Sequence, residues 1–241
     1  MKMRHRFACC AAALACMLTS ELYAQQLITN GGFESGFTGW TRVDQTGSDG
    51  GWSLQSGTSS PVNAFAVPAP PGPSNAAMTD AQAGGSHVLY QDFVVPLTLS
   101  VATLQFDLYI NNHANAFFSP GTLDFSTPTL NQQVRVDIMT TSADPFSVAV
   151  ADVLLNVFQT QPGNPLVTGY TTMTADLTAL LAAHPGETLR LRFAEVDNVN
   201  FLNAGVDRVS LAVPEPSAVM LLLAGSAVIG ILLLVRLPRR R

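Results

Sequence analysis

Glu195 and Asp197 stand two positions apart, the spacing at which side chains of one strand share a face. Two carboxyls on one face could perform glycoside hydrolysis, one as acid and the other as base or nucleophile. Against this, Asp197-Asn198-Val199-Asn200 has the composition of a polar turn, which would end the strand first. The histidines His87, His113 and His184 have no ligand spacing to one another and read as structural. His87 begins a strand, His113 lies in a polar loop, and His184 ends a helix, where a cation suits the dipole. The sequence has no Gly-x-Ser-x-Gly elbow, no His-Glu-x-x-His, no phosphate-cradling glycine loop and no dinucleotide fingerprint. Asp44-Gln-Thr-Gly-Ser-Asp-Gly-Gly51 faintly resembles a calcium turn and reads more simply as a loop. All three cysteines, Cys9, Cys10 and Cys16, lie in the N-terminal segment, so cysteine chemistry is excluded from the body. The expectation is a protein that is not an enzyme.

The elements that would carry such residues read as strands. Positions 102–111 alternate, with Leu104, Phe106, Leu108 and Ile110 on one side. Segment 133–140 does the same with Val134, Val136 and Ile138, and 189–194 sets Leu189, Leu191 and Phe193 against Arg190 and Arg192. A last strand over 206–212 places Asp207, Val209 and Leu211 on one side. Segments 87–95 and 152–159 are apolar enough to be buried strands. One helix is expected over 177–183, capped by Asp176 or Thr174 and ended by Pro185-Gly186. Two stretches read as long loops: 53–83, with five prolines between Pro61 and Pro73, and 112–131. Short alternating segments separated by turns predict an all-β chain, an antiparallel β-sandwich with one short helix.

Both ends carry addresses. Lys2, Arg4 and Arg6 precede a short apolar run from Phe7 to Leu18 and then Leu22-Tyr23-Ala24. That is the layout of a signal peptide, residues 1–24, for the Sec translocon and signal peptidase. A lipoprotein signal ending at Cys16 is the alternative, which Ala13 fits poorly. At the other end Val213-Pro214-Glu215-Pro216 precedes an uncharged apolar run over 218–235, followed by Arg236, Arg239, Arg240 and Arg241. As a helix this run is ~27 Å long, enough to cross a bilayer with the arginines held on the cytoplasmic side. The prolines keep the stretch before it extended, as a processing enzyme requires. Proline motif, apolar helix and arginine cluster together resemble the PEP-CTERM sorting signal of Gram-negative bacteria, here covering 213–241. The resemblance implies an exosortase as partner, a transient inner-membrane anchor, and a final place at the cell surface or in a biofilm or exopolysaccharide matrix. A plain tail anchor is the alternative.

Between those segments, residues 25–212 hold fifteen acids and only five basic residues, Arg42, Arg135, Arg190, Arg192 and Arg208. So acidic a body repels phosphate backbones, which excludes nucleic acid as a partner. Its opening, Leu27-Ile-Thr-Asn-Gly-Gly-Phe-Glu34 followed by Gly39-Trp40, together with Gly205-Val-Asp207-Arg-Val-Ser-Leu211 at its end, resembles jelly-roll carbohydrate-binding modules of the galactose-binding-like superfamily. That likeness implies a structural calcium ion between Glu34 and Asp207, joining first and last strands. The other reading is that turn N–H groups satisfy these carboxylates. It also implies extracellular polysaccharide as a partner, with Trp52, Tyr90, Tyr109, Phe117 and Phe118 as stacking candidates and Trp40 in the core. A secreted polysaccharide hydrolase and a purely structural adhesion protein are the alternative functions.

Overall fold

A computed structural model describes residues 24–214. The signal-peptide reading of 1–24 (Ala24 apart), Glu215, Pro216, the helix expected over 218–235 and the terminal arginines lie outside the described residues. Among the described residues no helix is long and apolar enough to cross a membrane. The chain divides into two units, Gln26–Val213 and the two end segments Met1–Gln25 with Pro214–Arg241. Only Ala24, Gln25 and Pro214 of the second are described.

Eleven strands and one short helix follow in order: β1 Ala24–Gln26, β2 Thr41–Asp44, β3 Gly51–Ser56, β4 Asn75–Asp80, β5 Gly85–Val94, β6 Thr103–Asn112, β7 Gln132–Thr140, β8 Val153–Gln159, β9 Thr171–Asp176, α1 Thr178–Ala182, β10 Thr188–Asp197 and β11 Leu202–Pro214. They form two sheets. One runs β3-β4-β11-β6-β9 with β1 beside β11, the other β2-β5-β10-β7-β8, and each strand pair whose register is defined is antiparallel. The all-β antiparallel expectation is therefore met.

The alternation in the sequence explains the layering. Leu104, Phe106, Leu108 and Ile110 of β6, Val134, Val136 and Ile138 of β7, and Leu189, Leu191 and Phe193 of β10 all enter one core. Trp40 joins them, its ring 5.3 Å from Phe33 and 6.0 Å from Phe193. The outer face of the second sheet holds a buried ionic group. Asp137 on β7 accepts paired bonds from Arg135, at 2.8 and 2.7 Å, and from Arg192, at 3.2 and 2.6 Å. Arg192 also donates to the carbonyls of Pro145 and Ser147, fastening the loop after β7 over this face.

Four details depart from the sequence reading. Two strands, β3 and β4, stand at the ends of the stretch expected to be one loop. The segment between them is short of apolar pairs, and β4 (Asn75-Ala-Ala-Met-Thr-Asp80) buries small side chains that give no alternation signal. β8 is an edge strand with half-exposed side chains, not a buried one. In β11 a register shift lies between Asp207 and Ser210, with Arg208 at φ +47°. The bulge reverses the alternation: Leu202, Ala204 and Val206 face the core before it, Val209, Leu211 and Val213 after it. Asp207 therefore does not share a side with Val209 and Leu211. Last, β10 runs on to Asp197, three residues past the expected end, which matters for the site.

Candidate functional site

The extension of β10 carries Glu195 and Asp197 onto the inner face already occupied by Leu191 and Phe193. Register does the rest. Glu195 lies directly across from His87 on β5, His87 across from Asp44 on β2, and Asp197 across from Gly85. Three ionisable side chains thus meet at one end of the sandwich. His87, Glu195 and Asp197 are 1%, 1% and 2% exposed. One ligand-capable atom from each lies within 4.8 Å of the others.

His87 Nδ1 sits 2.8 Å from Asp44 Oδ1, at the half-exposed rim. A carboxylate there makes Nδ1 the protonated nitrogen, so the Nε2 lone pair is left to face inward. His87 Nε2 and Glu195 Oε1 are both buried with no hydrogen-bond partner among the described residues. Asp197 Oδ1 accepts the Gly85 N–H at 2.8 Å. Gly85 is required at this point, since a Cβ on it would stand 2.3 Å from His87 Nε2. Burial pushes the Glu195 carboxyl well up, and the Asp197 charge adds to it. Burial likewise raises Asp197 to about 7, against the Gly85 bond and helped by the Asp49 charge. Asp197 also lines a cavity of about 230 Å³, with Gln82, Gly84 and Asn198 on its wall.

An open groove of about 530 Å³ lies between β2 and β3, the edge strands of the two sheets. Half-buried Phe37 gives it apolar surface, the buried Trp40 and Trp52 close it from within, and Arg42 and Asp44 give it charge. The Arg42 guanidinium stands 4.4 Å over the Phe37 ring and donates to the Trp52 carbonyl at 2.8 Å. Asp44, the partner of His87, is thus shared between groove and buried cluster. Such a volume and such a mixture of aromatic and polar walls suit a small polar ligand.

The residues singled out in the sequence fare unevenly. Glu34 and Asp207 are brought to one segment, where Glu34 Oε1 accepts the N–H groups of Ser74 and Asn75, each at 3.0 Å. Asp207 accepts those of Gly72 and Arg208, each at 2.6 Å. Both carboxylates thus clamp backbone N–H groups of the 72–75 segment and the β11 bulge, with lone pairs still left on their oxygens. Trp52, Tyr109 and Phe117 are 2%, 2% and 1% exposed, so core packing takes the faces that stacking would need. Tyr90 is half-exposed, but the Arg190 guanidinium covers its ring at 3.8 Å. Phe118 is half-exposed and its backbone pairs with Gln132. His113 stacks on Phe65 at 4.7 Å and His184 contacts Glu187 at 3.0 Å, both structural roles. His87 is the exception: besides its partner Asp44 it stands opposite Glu195, far away in the chain, which only the register reveals.

No protein-family model matches the chain, nor does any curated protein. Among solved structures, a cyclase from Fischerella sp. TAU is 15% identical over 81% of this chain and 100% of its own, with a TM-score of 0.47. TmCBM61, solved with β-1,4-galactotriose, is 11% identical over 78% and 97%, with a TM-score of 0.44. The K1 cleaved adhesin domain of Lys-gingipain from Porphyromonas gingivalis W83 is 12% identical over 78% and 97%, with a TM-score of 0.45. None of these likenesses assigns an activity to this chain.

Proposed function

We propose that this chain is an exported, non-enzymatic glycan-binding protein of a Gram-negative cell surface or exopolysaccharide matrix. The observation that carries the reading is the groove between β2 and β3, where Arg42 and Asp44 stand beside the half-buried Phe37. Pyranose rings present many hydroxyls, and a guanidinium beside a carboxylate offers them both donors and acceptors. Glu195 and Asp197 face the interior and cannot reach a polymer in the groove, so they lend nothing to the hydrolase alternative. No part of the reading depends on calcium at Glu34 and Asp207.

Binding is tested on a glycan array with the full chain. A defined set of polysaccharides should bind, and Arg42→Ala should weaken the interaction ~10–100-fold, the cost of a charge-assisted hydrogen bond. An array without signal, or an Arg42→Ala chain that binds as tightly as the original, would remove the groove from consideration.

Export is the second half of the proposal, and it rests on the two end segments. The Sec translocon and signal peptidase act first, then an exosortase at Val213-Pro214-Glu215-Pro216, with the inner membrane as a temporary anchor. Intact mass of the secreted protein should show both ends removed in cells with the exosortase, and the tail retained without it. A mature protein still carrying 218–241 in exosortase-containing cells would refute the processing step.

A further inference from the structure

We propose that His87, Glu195 and Asp197 form a buried binding site for one divalent transition-metal ion of the zinc type, distinct from the glycan groove. The inference goes beyond glycan binding and stands without it.

Geometry supports it first. The ligand-capable atoms of the three side chains converge within 4.8 Å, from two neighbouring strands whose register is continuous at this point. Two atoms of the set, His87 Nε2 and Glu195 Oε1, are buried and have no hydrogen-bond partner among the described residues. Native proteins rarely leave such atoms unanswered, since each forfeits its solvation without a bond in return. A cation between them satisfies both at once.

The donor set selects the kind of ion. One imidazole nitrogen with two carboxylates suits zinc and its neighbours, whereas calcium takes six to eight oxygens. Two carboxylates also balance a charge of two, which a dry site requires. Asp44 completes the arrangement. It holds His87 Nδ1–H at 2.8 Å, fixing the ring and presenting Nε2 inward, the carboxylate–histidine–metal pattern. Gly85 keeps the space in front of Nε2 open, because any larger residue would fill it. A cavity of about 230 Å³ adjoins the cluster on its Asp197 side.

The test is zinc binding by the full chain after exhaustive chelation, followed with a competing chromophoric chelator and metal analysis. One zinc per chain is expected. His87→Gln, Glu195→Gln and Asp197→Asn should each abolish stoichiometric binding, and Asp44→Ala should weaken it ~10–100-fold. Asp207→Asn, at the other carboxylate pair, should leave it unchanged. Circular dichroism reports whether each variant is folded. Should the inner variants not fold, cobalt(II) on the unsubstituted chain decides, through ligand-field bands and a paramagnetically shifted imidazole N–H resonance. A chain that takes up no zinc and shows no cobalt bands overturns the proposal. So does a folded Glu195→Gln chain that binds zinc as tightly as the original.

Discussion

Replacing Asp137 by Ala should cost ~3–5 kcal/mol of stability, the penalty for leaving buried charges without their partner. Asp137 and the Arg192 side chain have no exposed surface, and Arg135 has little. Removing the carboxylate would strand two guanidinium groups under the loop that Arg192 holds through Pro145 and Ser147. Urea unfolding should show the midpoint falling, and a loss below ~1 kcal/mol would mean that water reaches this group. The same residue sets an acid limb. Burial alone would raise the Asp137 carboxyl, but the hydrogen bond from Arg135 and the Arg192 charge outweigh it and hold the group below the usual carboxylate range. Its contribution is therefore complete above about pH 4 and is lost as pH falls through the depressed value. In that window the unfolded chain binds the extra proton, so stability rises with pH. The Asp137→Ala chain should lose stability on acidification less steeply than the original.

Truncating Phe193 to Ala is the second large effect, again ~3–5 kcal/mol for an aromatic ring removed from a closed core. Phe193 projects from β10 between the sheets, with the Phe106 ring edge-on at 5.3 Å and Trp40 at 6.0 Å. It is fully buried, so the neighbours cannot collapse far into the space left behind. Denaturant unfolding checks the size. A cost near that of a surface substitution, within ~0.5 kcal/mol, would show that the two sheets do not close upon this ring. Phe193 also precedes Glu195 on the same inner face, so the ring helps to keep the buried cluster dry.

How far the sequence could be read follows from what each element buries. β6, β7 and β10 were legible because the face turned from the core carries polar side chains such as Asp107, Arg135, Asp137 and Arg192, so alternation survives in the residue types even where that face is buried. β4 was not, because Ala76, Ala77 and Met78 are all buried and no period appears. With small or apolar side chains on both faces, such a strand reads like filler between prolines. The bulge at Arg208 was equally hidden: it is a backbone event, and Val206-Asp207-Arg208-Val209 read as plain alternation. α1 was visible through Asp176, whose Oδ1 accepts the Thr178 N–H at 2.8 Å. The buried cluster was half legible. Glu195 and Asp197 stand out as a pair, but the residues after them have the composition of a polar turn although the strand runs on to Asp197. That His87 would stand opposite Glu195 depends on the pairing of β5 with β10, which no local pattern encodes. Burial of three aromatic candidates was hidden for a related reason: an aromatic residue in a strand has two faces to choose from, and Trp52 and Tyr109 turn theirs to buried sides, as Phe117 does from the loop after β6.

The kinked outer strand β8 has one more effect. Its pairing with β7 slips twice, between Val136 and Asp137 and between Ile138 and Met139. A straight, unpaired rim would offer neighbouring copies a ready row of amide and carbonyl groups to zip onto. With the row broken in two places, identical molecules crowded side by side lack a continuous rail along that rim.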